Sequence, residues 1–166
     1  MFISDKEVRD ELKQIFENTI PQIDVCVPIL RGGKEILDRI PESVKKNWYL
    51  YPITIKSYSD VTNTTNDGMK IDIPPMTLNF IDTSLDQNKN ILVVDDVFHT
   101  GRTLKFVIML LQSKYRKPNV YYLIFADKSG NKNFGYPNFP QSMYFVRKIN
   151  PSDWIEFEWE KNRDNK

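Results

Sequence analysis

The stretch ILVVDDVFHTGRT, Ile91 to Thr103, constrains the fold more than any other part of the 166-residue chain. Its apolar start reads as a buried strand over Asn90–Asp95. The strand ends in two adjacent acids, Asp95 and Asp96. A short loop with Thr100 and Gly101 follows. Thr103 to Tyr115 then reads as a helix, with Leu104, Val107, Ile108 and Leu111 on one face. Such a strand–turn–helix unit puts its loop at the carboxyl edge of an open α/β sheet, where phosphorylated ligands bind. The helix start offers unpaired N–H groups and a positive dipole end. Gly101 lets an anion approach the backbone, and Thr100 and Thr103 add hydroxyl donors. The acids would repel that phosphate, so they suit ribose hydroxyls or a Mg²⁺ reached through water. The plainer alternative is that the acids only shape the turn and Thr100 caps the helix. The length of the matching string favours the ligand site.

The rest of the chain alternates in the same way. Ser4 and Glu7 form a capping box before an amphipathic helix over residues 5–17. Ile23 to Leu30 reads as a buried strand, and Arg31-Gly32-Gly33 turns it into a short helix that stops near Pro41. Trp48 to Lys56 reads as the next strand. A polar loop over 57–75 is long enough to suggest function. Met76 to Ile81 reads as a short strand and Val120 to Ala126 as a main one. A second polar loop spans 127–142. Met143 to Ile149 and Ile155 to Trp159 read as late, peripheral strands. The expected architecture is α/β: a mostly parallel, twisted sheet with helices on both faces, in one domain over residues 1–166.

Composition narrows the function. A formal net charge of +1 and the lack of a Lys/Arg run argue against a nucleic-acid partner. Cys26 is the single cysteine, so an internal disulfide and a cysteine zinc cluster are excluded and a reducing cytoplasm is expected. No apolar run suits a membrane span or a signal segment.

VVDDVFHTGRT, residues 93–103, resembles the motif with which type I phosphoribosyltransferases bind 5-phosphoribosyl 1-pyrophosphate (PRPP). That motif is an apolar strand, two acids, two mostly apolar residues, one variable residue and Thr-Gly-x-Thr. The resemblance implies the fold of that family, with a small hood from the C-terminal segment. It implies that Asp95 and Asp96 hold the ribose 2- and 3-hydroxyls, with Mg²⁺ nearby. Thr100, Gly101, Arg102 and Thr103 would hold the 5-phosphate, with Phe98 and His99 alongside. ILRGG, residues 29–33, is similar to the family's pyrophosphate loop. There Leu30–Arg31 would be a strained, often cis, peptide, with Leu30, Arg31 and Gly32 facing the pyrophosphate; a plain Gly-Gly turn is the alternative. IKSYSD, residues 55–60, resembles the lid of hypoxanthine-guanine phosphoribosyltransferases. Ser57 and Tyr58 would contact pyrophosphate, and Lys56 would lie close by.

Two late features resemble enzymes of 6-oxopurines. Lys128 stands where such enzymes place a lysine that donates to the purine O6; an ammonium has donors only, which selects oxo over amino. The alternative is a solvated loop lysine. WIEFEWE, residues 154–160, is similar to the C-terminal segment of bacterial xanthine-guanine phosphoribosyltransferases. There Trp154 would stack on the purine, and main-chain oxygens near Ile155 would accept from its 2-amino group. As core or interface aromatics Trp154 and Trp159 would have a plainer role. His99 departs from the Asp usual at its position. Histidine can accept or donate near neutral pH, so His99 is a candidate catalytic contact to the base beside Asp95 and Asp96. Contributing backbone alone is the alternative.

Together these features imply purine salvage. A purine base and PRPP would give a nucleoside monophosphate and pyrophosphate, in a homodimer or homotetramer. The string DDVFHTGRT is also close to that of pyrimidine-operon regulators, RNA-binding proteins with uracil phosphoribosyltransferase activity, which form the rival reading.

Overall fold

The computed structural model describes residues 1–57, 69–72, 89–114, 119–130 and 142–161. Tyr58, the expected strand Met76–Ile81 and residues 131–141 of the second loop lie outside these.

The chain opens with a two-residue strand, β1 (Phe2–Ile3), and helix α1 (Asp5–Asn18). The capping box that starts α1 is present: Ser4 accepts from the Glu7 N–H, and the Glu7 carboxylate accepts from the Ser4 N–H. Strand β2 (Val25–Leu30) runs into α2 (Gly32–Leu37), and α3 (Glu42–Lys45) follows. Next come β3 (Tyr49–Leu50), β4 (Ile53–Ser57) and β5 (Met69–Asp72). Strand β6 (Asn90–Phe98), helix α4 (Arg102–Lys114) and strand β7 (Asn119–Asp127) form the centre. Strands β8 (Met143–Lys148) and β9 (Glu156–Phe157) and helix α5 (Glu158–Lys161) close the described chain.

Among the described residues the main sheet has seven strands in the order β5-β4-β2-β6-β7-β8, with β3 also on β2. Its pairings are parallel except β4 with β5. The expected mostly parallel α/β sheet is therefore present. Strands covered on both faces need apolar residues at every position, which is why β2 reads VCVPIL. Alternate residues feed two clusters. Cys26, Leu92, Val94, Leu123 and Phe125 pack under α1, α2 and the C-terminal segment. Val25, Val27, Ile91, Val93, Tyr122 and Ile124 pack under the α4 face of Leu104, Val107, Ile108 and Leu111. That face was read correctly from periodicity.

Several elements differ from the sequence reading. Within 57–75, read as a polar loop, Met69–Asp72 forms β5, antiparallel to β4; its Met-Lys-Ile-Asp order alternates apolar and polar as a strand does. The strand expected over Trp48–Lys56 is two pieces in one register: Val25↔Tyr49 and Cys26↔Leu50, then Ile29↔Ile53 and Leu30↔Thr54. In that register Pro52 falls opposite Pro28, and proline has no N–H to give a ladder. Ile155–Trp159 is a strand only at Glu156–Phe157, where β9 joins β1 in a separate two-stranded sheet. The Glu160 carboxylate accepts from the Phe157 N–H at 2.9 Å, half of a capping box that starts a helical turn instead.

Candidate active site

The parallel strands β2, β6 and β7 end on one side of the sheet, and the candidate residues of the 30–33 and 95–103 segments lie there. Strand β6 runs three residues beyond its expected end at Asp95, so both acids sit within it. Strict alternation slips at the acids: Val94 and Val97, three positions apart, both pack on the α1/α2 side. Each acid also bonds to the next residue. Asp95 Oδ1 accepts from the Asp96 N–H at 3.0 Å, and Asp96 Oδ1 from the Val97 N–H at 2.7 Å. Such local bonds compete with the ladder and hold each carboxylate against the backbone of the residue that follows it.

The 31–33 loop lies directly against these acids. The Leu30–Arg31 peptide is cis. A Cβ on Gly32 would stand 2.0 Å from Asp96 Cγ, and one on Gly33 would stand 2.1 Å from the Val94 carbonyl oxygen. Gly33 cannot carry a side chain with the β6 backbone where it is, and at Gly32 a side chain would have to displace the Asp96 carboxyl group. The Gly-Gly pair is therefore a condition of this close approach, beyond a turn into a helix. Arg31 is exposed and Leu30 half-buried at the mouth of the loop.

Beyond β6 the chain turns through His99 and Thr100, both exposed, to the buried Gly101. Gly101 has φ +71°, a left-handed conformation that disfavours any Cβ. Its carbonyl accepts the first helical bond, from the Lys105 N–H at 2.8 Å. The N–H groups before Lys105 therefore have no helical acceptor and open toward the loop. Thr103 stands half-buried in the first turn, and the backbone of Arg102 begins the helix. Ser57 ends β4, whose Thr54 pairs with Leu30 at the same edge of the sheet.

The base-side candidates are joined to this edge through backbone. The Lys128 N–H donates to the Phe98 carbonyl at 2.8 Å, which sets Lys128 next to the start of the His99 loop. Asp127, buried, accepts from the Ser129 N–H at 2.9 Å, and its carbonyl accepts from the Ile149 N–H at 2.8 Å. Gly130 has φ +65°, and a Cβ there would stand 2.6 Å from Pro151 Cγ. This turn ties Lys128 to the segment that leads to Trp154. Ile155 is buried, whereas the Trp154 side chain is 81% exposed.

A family model described as a phosphoribosyl transferase domain matches residues 3–165. The chain belongs to that family. A hypoxanthine-guanine phosphoribosyltransferase of Staphylococcus aureus (strain N315) is 28% identical to it over 90 residues, 54% of this chain and 46% of that enzyme. The match thus spans about half the length of these curated relatives. The xanthine-guanine-hypoxanthine phosphoribosyltransferase of Helicobacter pylori has a TM-score of 0.68 at 23% identity, over 99% of this chain and 94% of its own. A purine phosphoribosyltransferase from Pyrococcus horikoshii Ot3 has a TM-score of 0.66 at 22% identity, over 96% and 92%. These superpositions establish the fold of the type I phosphoribosyltransferases.

Burial and the neighbouring Asp96 carboxylate push the Asp95 carboxyl well above the usual carboxylate range. A pair of this kind gains from a donor or a cation brought by a ligand. Among the described residues no group of three or more His, Cys, Asp or Glu could hold a metal alone. No described helix is long and apolar enough to cross a membrane. The Asp127–Gly130 turn was not singled out from sequence as a support of the site. Its signal is present in Asp-Lys-Ser-Gly, a side-chain turn former followed by glycine.

Proposed function

We propose that this phosphoribosyltransferase is a purine salvage enzyme. It would transfer the 5-phosphoribosyl group of PRPP to a 6-oxopurine and release pyrophosphate. One observation carries the reading: Gly32, the paired acids and the Gly101 helix start converge at one edge of the sheet, in a family member whose sequence relatives include hypoxanthine-guanine enzymes.

In this reading the ribose hydroxyls lie on Asp95 and Asp96. The 5-phosphate lies on the N–H groups and hydroxyls of Thr100 to Thr103, and the pyrophosphate on the Leu30–Gly32 backbone with Ser57 and Tyr58. Lys128 donates to O6, Trp154 stacks on the ring, and main-chain oxygen near Ile155 accepts from a 2-amino group. A purine nitrogen attacks the anomeric carbon as the bond to pyrophosphate breaks. The leaving electron pair stays on pyrophosphate, and the base proton passes to His99 or solvent. The acids stabilise positive charge that grows on the ribose. Mg²⁺, when bound, neutralises charge on the pyrophosphate. The donor set fits: Mg²⁺ keeps several waters and takes one or two carboxylates plus substrate phosphate, which two acids without a third such ligand among the described residues suit. Cytoplasmic residence and a homodimer or homotetramer belong to the same reading; the exposed Tyr49, Leu50 and Met109 support assembly.

The test is turnover of PRPP and Mg²⁺ with guanine, xanthine, hypoxanthine, adenine and uracil. Nucleotide should form with one or more of the 6-oxopurines. Turnover confined to uracil or adenine, or none at all, would overturn the reading.

A further inference from the structure

Arg39 follows α2, the helix that begins at Gly32, and its side chain is only 10% exposed. Its Nε donates to the Asp5 carboxylate in the first turn of α1. Its Nη1 donates to the Glu35 carbonyl at 2.6 Å and to the Glu35 carboxylate at 3.1 Å. Its Cζ lies 4.0 Å from the centroid of the Trp159 ring. Trp159 stacks on Phe157 with centroids 4.2 Å apart at 11°, and Phe157 meets Phe125 of β7 edge-on at 5.8 Å. The Asp5 N–H donates to the Glu158 carboxylate at 2.6 Å. One cation thus touches α1, α2 and the C-terminal segment.

We propose that Arg39 is a positioning residue for the base side of the site, clamping segment 156–161 onto the helix that starts at the Asp96 contact. The inference rests on the purine reading above. Trp154 lies two residues before Glu156, and its exposed indole is located by the backbone around it. That backbone is held by the β1–β9 pairing and by the Arg39–Trp159–Phe157 stack. A buried cation between carboxylates is a weak source of net stability, but it selects one arrangement where apolar packing would tolerate several. Arginine suits the place because its planar fork can meet two acceptors while its face lies on an indole. Lysine keeps the charge and loses that geometry.

Arg39→Met, Arg39→Lys and Trp159→Phe test this by steady-state kinetics with PRPP, Mg²⁺ and the best purine of the panel. The KM for the base should rise about tenfold in Arg39→Met and less in the other two, with kcat and the PRPP KM nearly unchanged. Amide exchange should quicken at Glu156 and Phe157 while β6 and β7 keep their protection. Trp159→Phe removes no charge and carries the test if Arg39→Met does not fold. Base and PRPP KM rising together, with faster exchange throughout, would mean that Arg39 only stabilises the fold and would overturn the inference. So would faster local exchange with an unmoved base KM. A wild-type protein that turns over no purine overturns the functional reading and this role with it. A wild type that turns purine over while the variants keep its base KM overturns this inference alone.

Discussion

The two sides of the site are built by different means. The side assigned to PRPP is made of main chain: two glycines pressed against β6, a left-handed Gly101 and the first turn of α4. The side assigned to the base is made of segments far apart in sequence. There the Asp5 N–H meets Glu158, Met1 O accepts from the Glu156 N–H at 2.9 Å, and Gly130 lies against Pro151. A side made of main chain should fail sharply when a single atom is added. A side made of tail contacts should loosen by degrees. Changes on the first should reach catalysis, and changes on the second should reach base affinity.

The largest effect is expected at Gly32. Its Cβ would fall within 2.4 Å of three atoms of the Asp96 carboxyl group. Gly32→Ala therefore has to displace either the loop or the acid, and turnover should fall by about 100-fold or more. Steady-state kinetics checks this, and activity close to wild type would break the contrast at its strongest point. Asp96→Asn should come next. It keeps the shape and removes the charge that favours a positive ribose, so kcat should fall by about 100-fold with little change in base affinity. An equal fall confined to base affinity would count against the role.

Asp95→Asn sharpens the comparison by separating stability from activity. The folded Asp95 carboxyl binds its proton more tightly than an ordinary carboxylate, because of burial and the charge of Asp96. A group with a raised folded pKa contributes stability below its unfolded value and loses it as pH rises through the folded value. Above the unfolded value, toward neutral pH, this carboxyl is therefore a cost to the ligand-free protein. The variant should melt at or above the wild-type temperature at pH 7 while turnover falls, and its Tm should vary less from pH 4 upward. A variant that melts clearly below wild type at pH 7 would refute the assignment of strain to this acid.

The division also explains what was legible in the sequence. VVDDVFHTGRT is contiguous, so a strand, two acids and a helix start could be read from one string. The α4 face was legible for the same reason, since Leu104, Val107, Ile108 and Leu111 follow a local period and all are buried. The length of β6 was not, because the acids bend the strand's alternation through bonds to their own neighbours. The Gly-Gly pair looked like a turn. Its reason lies in the Val94 carbonyl and the Asp96 carboxylate, some 60 residues along the chain. Ile155, Phe157 and Trp159 alternate like a strand and all point inward, yet Glu160 closes a helical turn at Phe157. Of the partners of Arg39, charge patterning reaches only the local Glu35; Asp5 and Trp159 are too far along the chain to be read from it.

On the base side the effects should be smaller. Trp154 packs little and is exposed, so Trp154→Ala should leave Tm within about 1 °C. If its ring stacks on the purine, the base KM should rise by about tenfold at most, the worth of one aromatic pair. An unchanged base KM would remove Trp154 from the site without touching the PRPP side.

The smallest effect is expected from acid, and it should also reach the base side first. The Ser4 hydroxyl and N–H, together with Arg147, hold the Glu7 carboxyl down at about 2. Burial alone would raise Asp5, but Arg9 and Arg39 hold it below its usual value. A depressed folded pKa gives stability that is present above the unfolded value and lost as pH falls through the folded one. For Glu7 the window runs from 4.5 down to about 2. Both acids lie in the first turn of α1, next to β1 and the Glu158 contact. Acidification should therefore release the N-terminal turn and the C-terminal segment while β2, β6 and β7 still hold. Amide exchange across this window should show Glu156 and Phe157 losing protection ahead of the β6 amides, and Glu7→Gln should flatten the change. Loss at a single pH throughout the molecule would mean that the two sides of the site unfold as one unit, and that the contrast between them ends at the native state.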